Sequence, residues 1–329
     1  MGDFFTLVSI ENTKLWKRLS TKIMLIIMIV IIVVASSIFK YYNVSNNISN
    51  TTKVSENWKQ DLQQNVTIQK SQLKVVENGT NKMAKITIGS IKMSIAESEY
   101  RINNNIKPES KESIWRKVTN FYTYGFGGII ALFLIISCSA LIAGEFSEGT
   151  IKMMISRPYK RFEILTAKLI TSILYGLVLL LTTFLLIFIM MGIYFGFNGI
   201  GSKEMLLAGN SIIYIPAVLK TIIVFSLDFL QVLVYVILAF TISVISRSRS
   251  IATGFSLFLL LVGSGIVQLL AIYFSWGKYL PLGMTEFAGF VTKGASVDGT
   301  TLGFALGLSA IYSIIFCFAG YFVFEKRDI

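Results

Sequence analysis

Long stretches without a single charged residue constrain this chain more than any other feature of its sequence. A helix needs about 20 predominantly apolar residues to cross a bilayer, with a range of roughly 17–25. Uninterrupted runs of this kind lie at 23–39, 118–144, 169–202, 229–246, 250–277 and 299–324. We therefore predict an all-α membrane protein with six transmembrane helices. An even number of spans places both termini on the same side.

The composition supports this class and excludes several kinds of chemistry. The 329 residues are 54% hydrophobic and only 15% charged, whereas a soluble domain has about 25% charged residues. Histidine is absent, so catalysis or metal binding through imidazole is not expected. Cys138 and Cys317 lie in apolar runs without C-x-x-C spacing, which predicts buried thiols. We expect neither a cofactor nor enzymatic activity in this chain.

The distribution of Lys and Arg predicts the orientation. One side carries Lys14, Lys17, Arg18, Lys22, Lys152, Arg157, Lys160, Arg161, Lys168, Arg247, Arg249, Lys326 and Arg327. The short segments of the opposite side hold Lys203, Lys220, Lys278 and Lys293. Because basic residues accumulate in cytoplasmic loops, we expect both termini inside, in a multi-pass protein of a bacterial plasma membrane. The asymmetry, together with a basic outer segment, also explains the net charge of +12, so no nucleic-acid partner is expected.

The segment 41–117 is the part of the chain with a soluble character. Apolar residues recur there at helical spacing, first at Val54, Trp58, Leu62, Val66, Leu73 and Val76, and then at Ile88, Ile91, Ile95 and Ile102. Asn78-Gly79 separates the two patterns. We predict an extracellular helical hairpin between the first two spans.

The residues before the first span mix apolar and basic side chains. This pattern is typical of a helix that lies in the inner membrane interface with its lysines against lipid headgroups. A frayed tail is the alternative.

The connection between the second and third spans is amphipathic. Ile151, Met154 and Ile155 share one helical face, Glu148 lies near the helix start, and Pro158 ends the pattern. Such a short helix, fixed to two spans, is suited to docking a soluble partner. The alternative is an ordinary basic loop that only sets topology.

A family resemblance favours the first interpretation. The string E-F-S-E-G-T-I-K-M-M-I-S-R-P-Y-K-R resembles the E-x-x-x-G-T-hydrophobic-x-x-x-hydrophobic-x-x-P-x-x-R/K pattern of permease subunits of ABC-2 type transporters. The interfacial N-terminal helix, the six spans and the outer segments are also similar to that family. The resemblance covers essentially the whole chain except the hairpin.

The resemblance implies a coupling helix that sits in a groove of a cytoplasmic ATPase. The matching positions are Glu145, Gly149, Thr150, Pro158 and Arg161, and we assign Glu148, Met154 and Arg157 to the same contact. No G-x-x-x-x-G-K-[ST] loop is present, so ATP and Mg are expected to bind to two separate ABC ATPase subunits. A second permease copy or a related permease would complete the pathway.

Asp228 is a carboxylate directly before the charge-free run 229–246. Asp228 has Gln231 one turn away on the same helical face. A carboxylate within a span is a functional hypothesis by default, here for the substrate path. Counting about 20 residues back from Arg247, however, places Asp228 at the outer edge of the hydrocarbon, where it would be a solvated end-of-span residue. We favour the solvated position.

Two segments on the predicted outer side are expected to be helical or irregular. The end of the third run, 194–202, contains Gly196 and Gly199 and is expected to project outward or to bend. Together with 212–227 it would form an outward extension of spans three and four. The segment 278–298 is too short to span twice, so we predict a re-entrant or interfacial pair of short helices.

The predicted division of the chain follows from these patterns. It comprises a cytoplasmic interfacial helix at 1–21, spans at 22–40, 118–144, 161–202 (with its outer extension), 203–246 (with an outer loop), 250–277 and 299–325, the extracellular segment 41–117, the coupling helix 145–160, the outer helices 278–298 and a cytoplasmic tail at 326–329.

We predict the permease subunit of an ATP-driven ABC-2 exporter, with a substrate that is an amphipathic peptide, a lipid or a drug. The alternative is an ABC-linked mechanical or sensory protein that moves its outer domain without transporting a substrate. An ion-coupled secondary transporter is disfavoured because such proteins keep polar groups at mid-membrane and often contain inverted repeats.

Overall fold

The protein is predominantly helical and contains six helices long and apolar enough to cross a membrane. The computed structural model describes residues 4–47, 57–79, 82–108, 112–151, 159–209, 211–297 and 299–326. Spans one to six are Leu19–Tyr42, Phe126–Ser147, Arg161–Phe195, Ala217–Ser246, Arg249–Tyr273 and Leu302–Lys326. The prediction of six spanning helices is confirmed. We call the end of the bundle that contains Ser147 and Arg161 the loop end, and the opposite end the hairpin end.

Helix α1, Phe4–Lys17, precedes span one, whose helix α2 runs over Leu19–Asn47. The buried face of α1 consists of Leu7, Glu11 and Leu15 and packs against span three. The segment is therefore an ordered helix with a buried face rather than a frayed tail.

The core of the bundle is built around span two. Of its most apolar stretch, 72% of the residues are buried, mainly against spans three and four and the first half of span five. Close packing with span three depends on Gly176, where an added Cβ would lie 2.8 Å from a methyl group of Leu134. By contrast, only 6% of the equivalent stretch of span six is buried. Its apolar surface remains for lipid or another protein to cover.

Span two begins later than the sequence pattern suggests. The predicted run 118–144 is divided into helix α5, Ile114–Tyr122, and helix α6, Phe126–Ser147. Gly125 lies between them at φ 118°, a conformation that side-chain-bearing residues rarely adopt. Ser113 caps α5 by accepting a hydrogen bond from the backbone N–H of Arg116 at 3.1 Å. The prediction of one continuous helix was wrong because this short amphipathic helix is itself apolar on its buried face.

A β-hairpin connects spans three and four. Helix α7, Arg161–Phe195, ends at Gly196, and the strands β1, Lys203–Ala208, and β2, Ser211–Pro216, pair antiparallel before helix α8, Ala217–Ser246. The expected outward extension is present in span four, whose helix already begins at Ala217. It was wrong for span three, which ends at Phe195, and for 212–216, which belong to β2. The β-branched residues that follow Gly209-Asn210, between the charge-free runs 169–202 and 229–246, favour a strand pair.

Between spans one and two, helices α3, Trp58–Asn78, and α4, Ile88–Asn103, pack against each other. A 3₁₀ turn, Lys82–Thr87, precedes α4. Nitrogen–oxygen distances of 2.7 Å in Lys70–Glu99 and 3.0 Å in Lys92–Glu77 fix an antiparallel arrangement. Within the predicted stripe Val66 is buried, whereas Val54 lies outside the described residues. We call α3 and α4 the helical hairpin.

Span five and the connection after it are irregular. A π-helical turn, Leu259–Gly263, separates helices α9, Arg249–Phe258, and α10, Ser264–Tyr273. The connection to span six contains a 3₁₀ turn, Gly277–Tyr279, and the short helix α11, Phe287–Thr292. Span six is helix α12, Leu302–Lys326. Short helical pieces therefore occupy the segment in which a re-entrant pair was predicted.

The helical hairpin rests on this connection. An added Cβ at Gly89 would overlap the backbone of Ala295, and one at Gly294 would lie 2.6 Å from the carbonyl oxygen of Gly89. Lys82 Nζ also donates a hydrogen bond of 3.1 Å to the carbonyl oxygen of Tyr273. The backbones of α4 and of the connection are thus in direct contact.

Candidate functional site

The segment that carries the family motif begins inside span two. Glu145 belongs to the last turns of that helix, and Glu148 follows its end as an exposed residue. Gly149 has φ 71°, and the Thr150 hydroxyl donates to the carbonyl oxygen of Glu145 at 3.4 Å. The glycine of the G-T pair therefore occupies a position that needs a left-handed backbone.

The remaining motif positions are divided between described and undescribed parts of the chain. Met154, Arg157 and Pro158 fall within 152–158, outside the described residues. Arg161 begins span three, and its Nη1 donates to the carbonyl oxygen of Glu325 at 3.4 Å. Arg161 thus links the loop ends of spans three and six.

A group of four charged residues, three of them buried and Lys14 34% exposed, lies at the loop end, and we call it the Lys168 cluster. Its members are Glu11, Lys14, Glu145 and Lys168. Lys168 Nζ lies 2.8 Å from Glu11 Oε2 and 2.7 Å from Glu145 Oε2. Lys14 Nζ lies 2.7 Å from Glu11 Oε1 and 3.5 Å from Glu145 Oε1. The cluster joins α1, span two and span three.

The charges in the Lys168 cluster compensate one another. Burial alone would raise the pKa of Glu11, but the ammonium groups of Lys168 and Lys14 hold that pKa below its usual value. The side chain of Lys168 is 1% exposed, and its Nζ also donates to the carbonyl oxygen of Leu141 at 3.2 Å. Removing Lys168 would leave two buried carboxylates without their buried partner, which is far more costly than losing a surface pair.

The Lys168 cluster changes the interpretation of Glu145. We assigned this residue to the contact with an ATPase, but its side chain is buried and paired inside the chain. It holds the start of the motif segment against span three and does not face a partner. Glu148 remains exposed and available for a contact.

Sequence reasoning missed Glu11 and counted Lys168 only as a topological charge. One signal was present: Glu11 is placed four residues from both Leu7 and Leu15, within the apolar stripe of α1. An acidic residue in the middle of a buried stripe predicts a buried partner. Which basic residue supplies it depends on how the helices pack.

Asp228 and Gln231 line a cavity near the hairpin end. The cavity has a volume of about 470 Å³ and lies between spans two, four and five and the connection that follows span five. Asp228 is 8% exposed, beside the Tyr122 hydroxyl and close to Gly127. The expectation of a solvated end-of-span residue was wrong, because α5 and α11 cover this part of span four. We call this space the Asp228 cavity.

Other polar and apolar groups complete the Asp228 cavity. Glu286 and Lys293 line it from the connection, and both are exposed. The Tyr235 and Thr285 hydroxyls, also on its lining, lie 3.2 Å apart. Leu260, from the π-helical turn of span five, contributes an apolar wall. Single π turns inside helices are often found at functional sites.

A second buried carboxylate near the hairpin end was not singled out from the sequence. Glu204 of β1 lies 3.1 Å from Lys220 Nζ and 3.6 Å from Arg116 Nε, and it accepts a hydrogen bond from Ser113 at 2.9 Å. These contacts tie the β-hairpin to α5 and span four. Because the carboxylate is fully paired, we assign it a structural role.

The architecture by itself defines the class of this protein. Six helices of spanning length make this a multi-pass membrane protein. The chain belongs to the family described as "Protein of unknown function (DUF2705)", whose model matches residues 83–329. The matched part includes α4 and spans two to six, and therefore the whole Asp228 cavity.

Two relatives come from Bacillus subtilis (strain 168). The chain is 32% identical to "Uncharacterized protein YhcI" over 275 aligned residues. The aligned region covers 83% of this chain and 84% of that protein. It is 25% identical to "Uncharacterized membrane protein YdbK" over 210 aligned residues. That alignment covers 63% of this chain and 81% of that protein. The second description agrees with the membrane class that the six helices define.

Proposed function

We propose that this chain is the membrane-spanning permease subunit of an ABC-2 type exporter. The observation that carries the proposal is the motif segment, whose residues resemble the coupling region of that family. In this proposal the loop end is cytoplasmic and the helical hairpin is extracellular. Energy comes from two ATPase subunits that bind ATP and Mg, and a second permease copy or a related permease completes the pathway.

The Lys168 cluster supports a coupling role for the motif segment. A segment that transmits force needs a rigid attachment, and buried, mutually paired charges fix the relative position of the elements that carry them. Here the attachment joins α1 and spans two and three at the place where the motif begins. A push on the residues after Glu148 would therefore be transmitted to three helices together.

The uncovered apolar surfaces support a second permease in the complex. Only 22% of the most apolar stretch of spans one and five and 6% of that of span six is buried within the chain. Part of this surface is covered by lipid, and the rest is available to a partner helix.

The contact between the hairpin and the connection favours a second candidate function. The backbone of Gly89 lies directly against that of Ala295, so movement of spans five and six would reach the hairpin. In an ABC-linked mechanical or sensory protein this movement would itself be the output. Export is preferred because the Asp228 cavity offers a place for a transported molecule.

Co-purification tests the proposal. The chain is expressed in its native host, extracted in mild detergent and analysed by mass spectrometry for an ABC ATPase. The double variant Glu148→Ala/Arg157→Ala should reduce ATPase recovery, because it removes the charged contacts that we assign to the coupling surface. The control Lys107→Ala/Glu112→Ala removes one basic and one acidic residue that are exposed near the hairpin end. Absence of an ATPase, or equal recovery with both variants, would refute the assignment.

Transport measurements separate the two candidate functions. The co-purified complex is reconstituted into vesicles, and ATP-dependent movement of amphipathic peptides, labelled lipids and hydrophobic dyes is measured. ATP-dependent accumulation of any of these supports export. ATP hydrolysis that changes hairpin accessibility without any transport favours the mechanical alternative.

A further inference from the structure

Asp228 differs from every other buried carboxylate in the described part of the chain. The buried carboxylates are Glu11, Glu145, Glu204 and Asp228. The first three each have a lysine nitrogen within 3.1 Å. Asp228 forms no ion pair with any described residue, although it lies within span four. A carboxylate in such a position is costly unless a positive charge or a proton compensates it.

The surroundings of Asp228 are suited to a positively charged molecule. The cavity volume of about 470 Å³ is within the range of small-molecule sites. Glu286 adds a second carboxylate to the lining, against the single ammonium group of Lys293, and neither forms an ion pair with a described residue. The lining is therefore acidic overall.

The remaining walls suit an organic cation rather than a metal ion. Phe290 supplies an aromatic ring, and Leu132 and Leu260 supply further apolar surface. The rings of Tyr122 and Tyr235 lie behind this surface and are fully buried. Aromatic faces attract cations, and apolar walls bind a hydrocarbon body. Among the residues that the structure describes, no cluster of three His, Cys, Asp or Glu could hold a metal.

We propose that the Asp228 cavity binds an organic cation, with Asp228 pairing its positive group and the apolar walls holding its body. The identification of this cation with the exported molecule rests on the proposed function. Glu286, exposed at the cavity, strengthens the attraction for positive charge. This narrows the substrate class to cationic amphiphiles, such as amine-bearing peptides, lipids or drugs.

Binding can be measured on the purified chain in lipid nanodiscs, without any ATPase. The probes are radiolabelled tetraphenylphosphonium and, in separate samples, radiolabelled tetraphenylborate, which has nearly the same shape and the opposite charge. The native chain should bind the cation saturably and the borate poorly. Asp228→Asn should weaken binding at least about tenfold, because losing one partner of a buried charge pair has effects of that size or larger.

Further variants distinguish the effect of the Asp228 charge from effects of misfolding and of the space available in the cavity. Asp228→Glu keeps the charge and should retain binding. Gly128 lines the cavity with open space beside it, so Gly128→Leu should block the site while leaving Asp228 intact. Gly254, which also has open space beside it but lies outside the cavity, provides the matched control Gly254→Leu. Glu99→Gln in the hairpin controls for the loss of one acidic charge elsewhere.

The outcomes divide clearly. Loss of binding in Asp228→Asn and Gly128→Leu, with retention in Asp228→Glu and both controls, supports the site. Equal binding by the native chain and a correctly folded Asp228→Asn variant overturns it, as do equal binding of the borate and of the cation and a lack of saturable cation binding. Binding in a chain that recruits no ATPase would support the site and remove the export function. A chain that recruits an ATPase but does not bind the cation would support the proposed function and refute the cation site.

Discussion

The Nζ atom of Lys168 lies 2.7 Å from Oε2 of Glu145, which joins the beginning of span three to the end of span two. The same nitrogen is 2.8 Å from Glu11 Oε2 in α1. One ammonium group thus connects three helices that are far apart in the sequence. The acidic residue that starts the family motif is one of its partners, so the stability of the loop end depends on this contact.

Replacing Lys168 with methionine should destabilise the protein strongly. The change leaves Glu11 and Glu145 buried with only Lys14 nearby, and breaking a buried ion pair costs about 3–5 kcal/mol. The free energy of unfolding in detergent measures the effect. The exposed Lys160 gives the control Lys160→Met, for which we expect a change within about 0.5 kcal/mol.

A compensating variant makes this prediction specific. Adding Glu11→Gln and Glu145→Gln to Lys168→Met removes the unpaired charges and should recover part of the lost stability. Equal stability of Lys168→Met and Lys160→Met would contradict the role of the cluster.

The contribution of Glu11 should depend on pH in a defined direction. Burial opposes its ionisation, but Lys168 and Lys14 lower its pKa in the folded state, so folding favours the charged form. Its stabilisation is then complete above the pKa of an unfolded glutamate, about 4.3, and is lost as the pH falls through the lower folded value. The difference in unfolding free energy between the native chain and Glu11→Gln should therefore shrink below about pH 4.3. An increase in this free-energy difference on acidification would contradict the proposed pairing of Glu11 with Lys168 and Lys14.

Cysteine labelling should place the two ends of the bundle on opposite sides of the membrane. In a background without Cys138 and Cys317, a cysteine at the exposed position Asn78 should react with an impermeant maleimide in intact cells, because the basic loops are retained inside. The matched site is the exposed Glu148, where a cysteine should react only after lysis. The opposite pattern would invert the topology and remove the motif segment from reach of a cytoplasmic ATPase.

Gly89→Ala should separate the helical hairpin from the connection between spans five and six. The new Cβ would overlap the backbone of Ala295, so one of the two segments must move. Hydrogen exchange should become faster in 82–103 and 293–297 while the spans remain protected. Gly254→Ala, where an added Cβ meets open space, is the control. Unchanged exchange in the hairpin would show that the contact does not hold the two segments together.

Local sequence patterns were sufficient to predict the membrane-spanning helices, because the bilayer itself requires them to be apolar. The charge-free runs predicted six spans because a bilayer requires long apolar helices whatever their neighbours are. The break at Gly125 was missed because it lies within an apolar run, where hydropathy does not distinguish one helix from two. The strands on either side of Gly209 were missed because their short apolar stretches, 205–208 and 212–215, fit a strand as well as part of a helix.

Local sequence patterns are enough to indicate the membrane class, the six spans and the segment that resembles a coupling region. Which charges are buried, and which of those are paired, depends on how the helices pack. Glu11, Glu145 and Asp228 look alike as isolated acidic residues beside apolar runs. Helix packing brings Lys168 to the first two and places a cavity beside the third. The physical reason is that the energy of a buried charge depends on groups within a few ångströms, and these are contributed by elements distant in the chain.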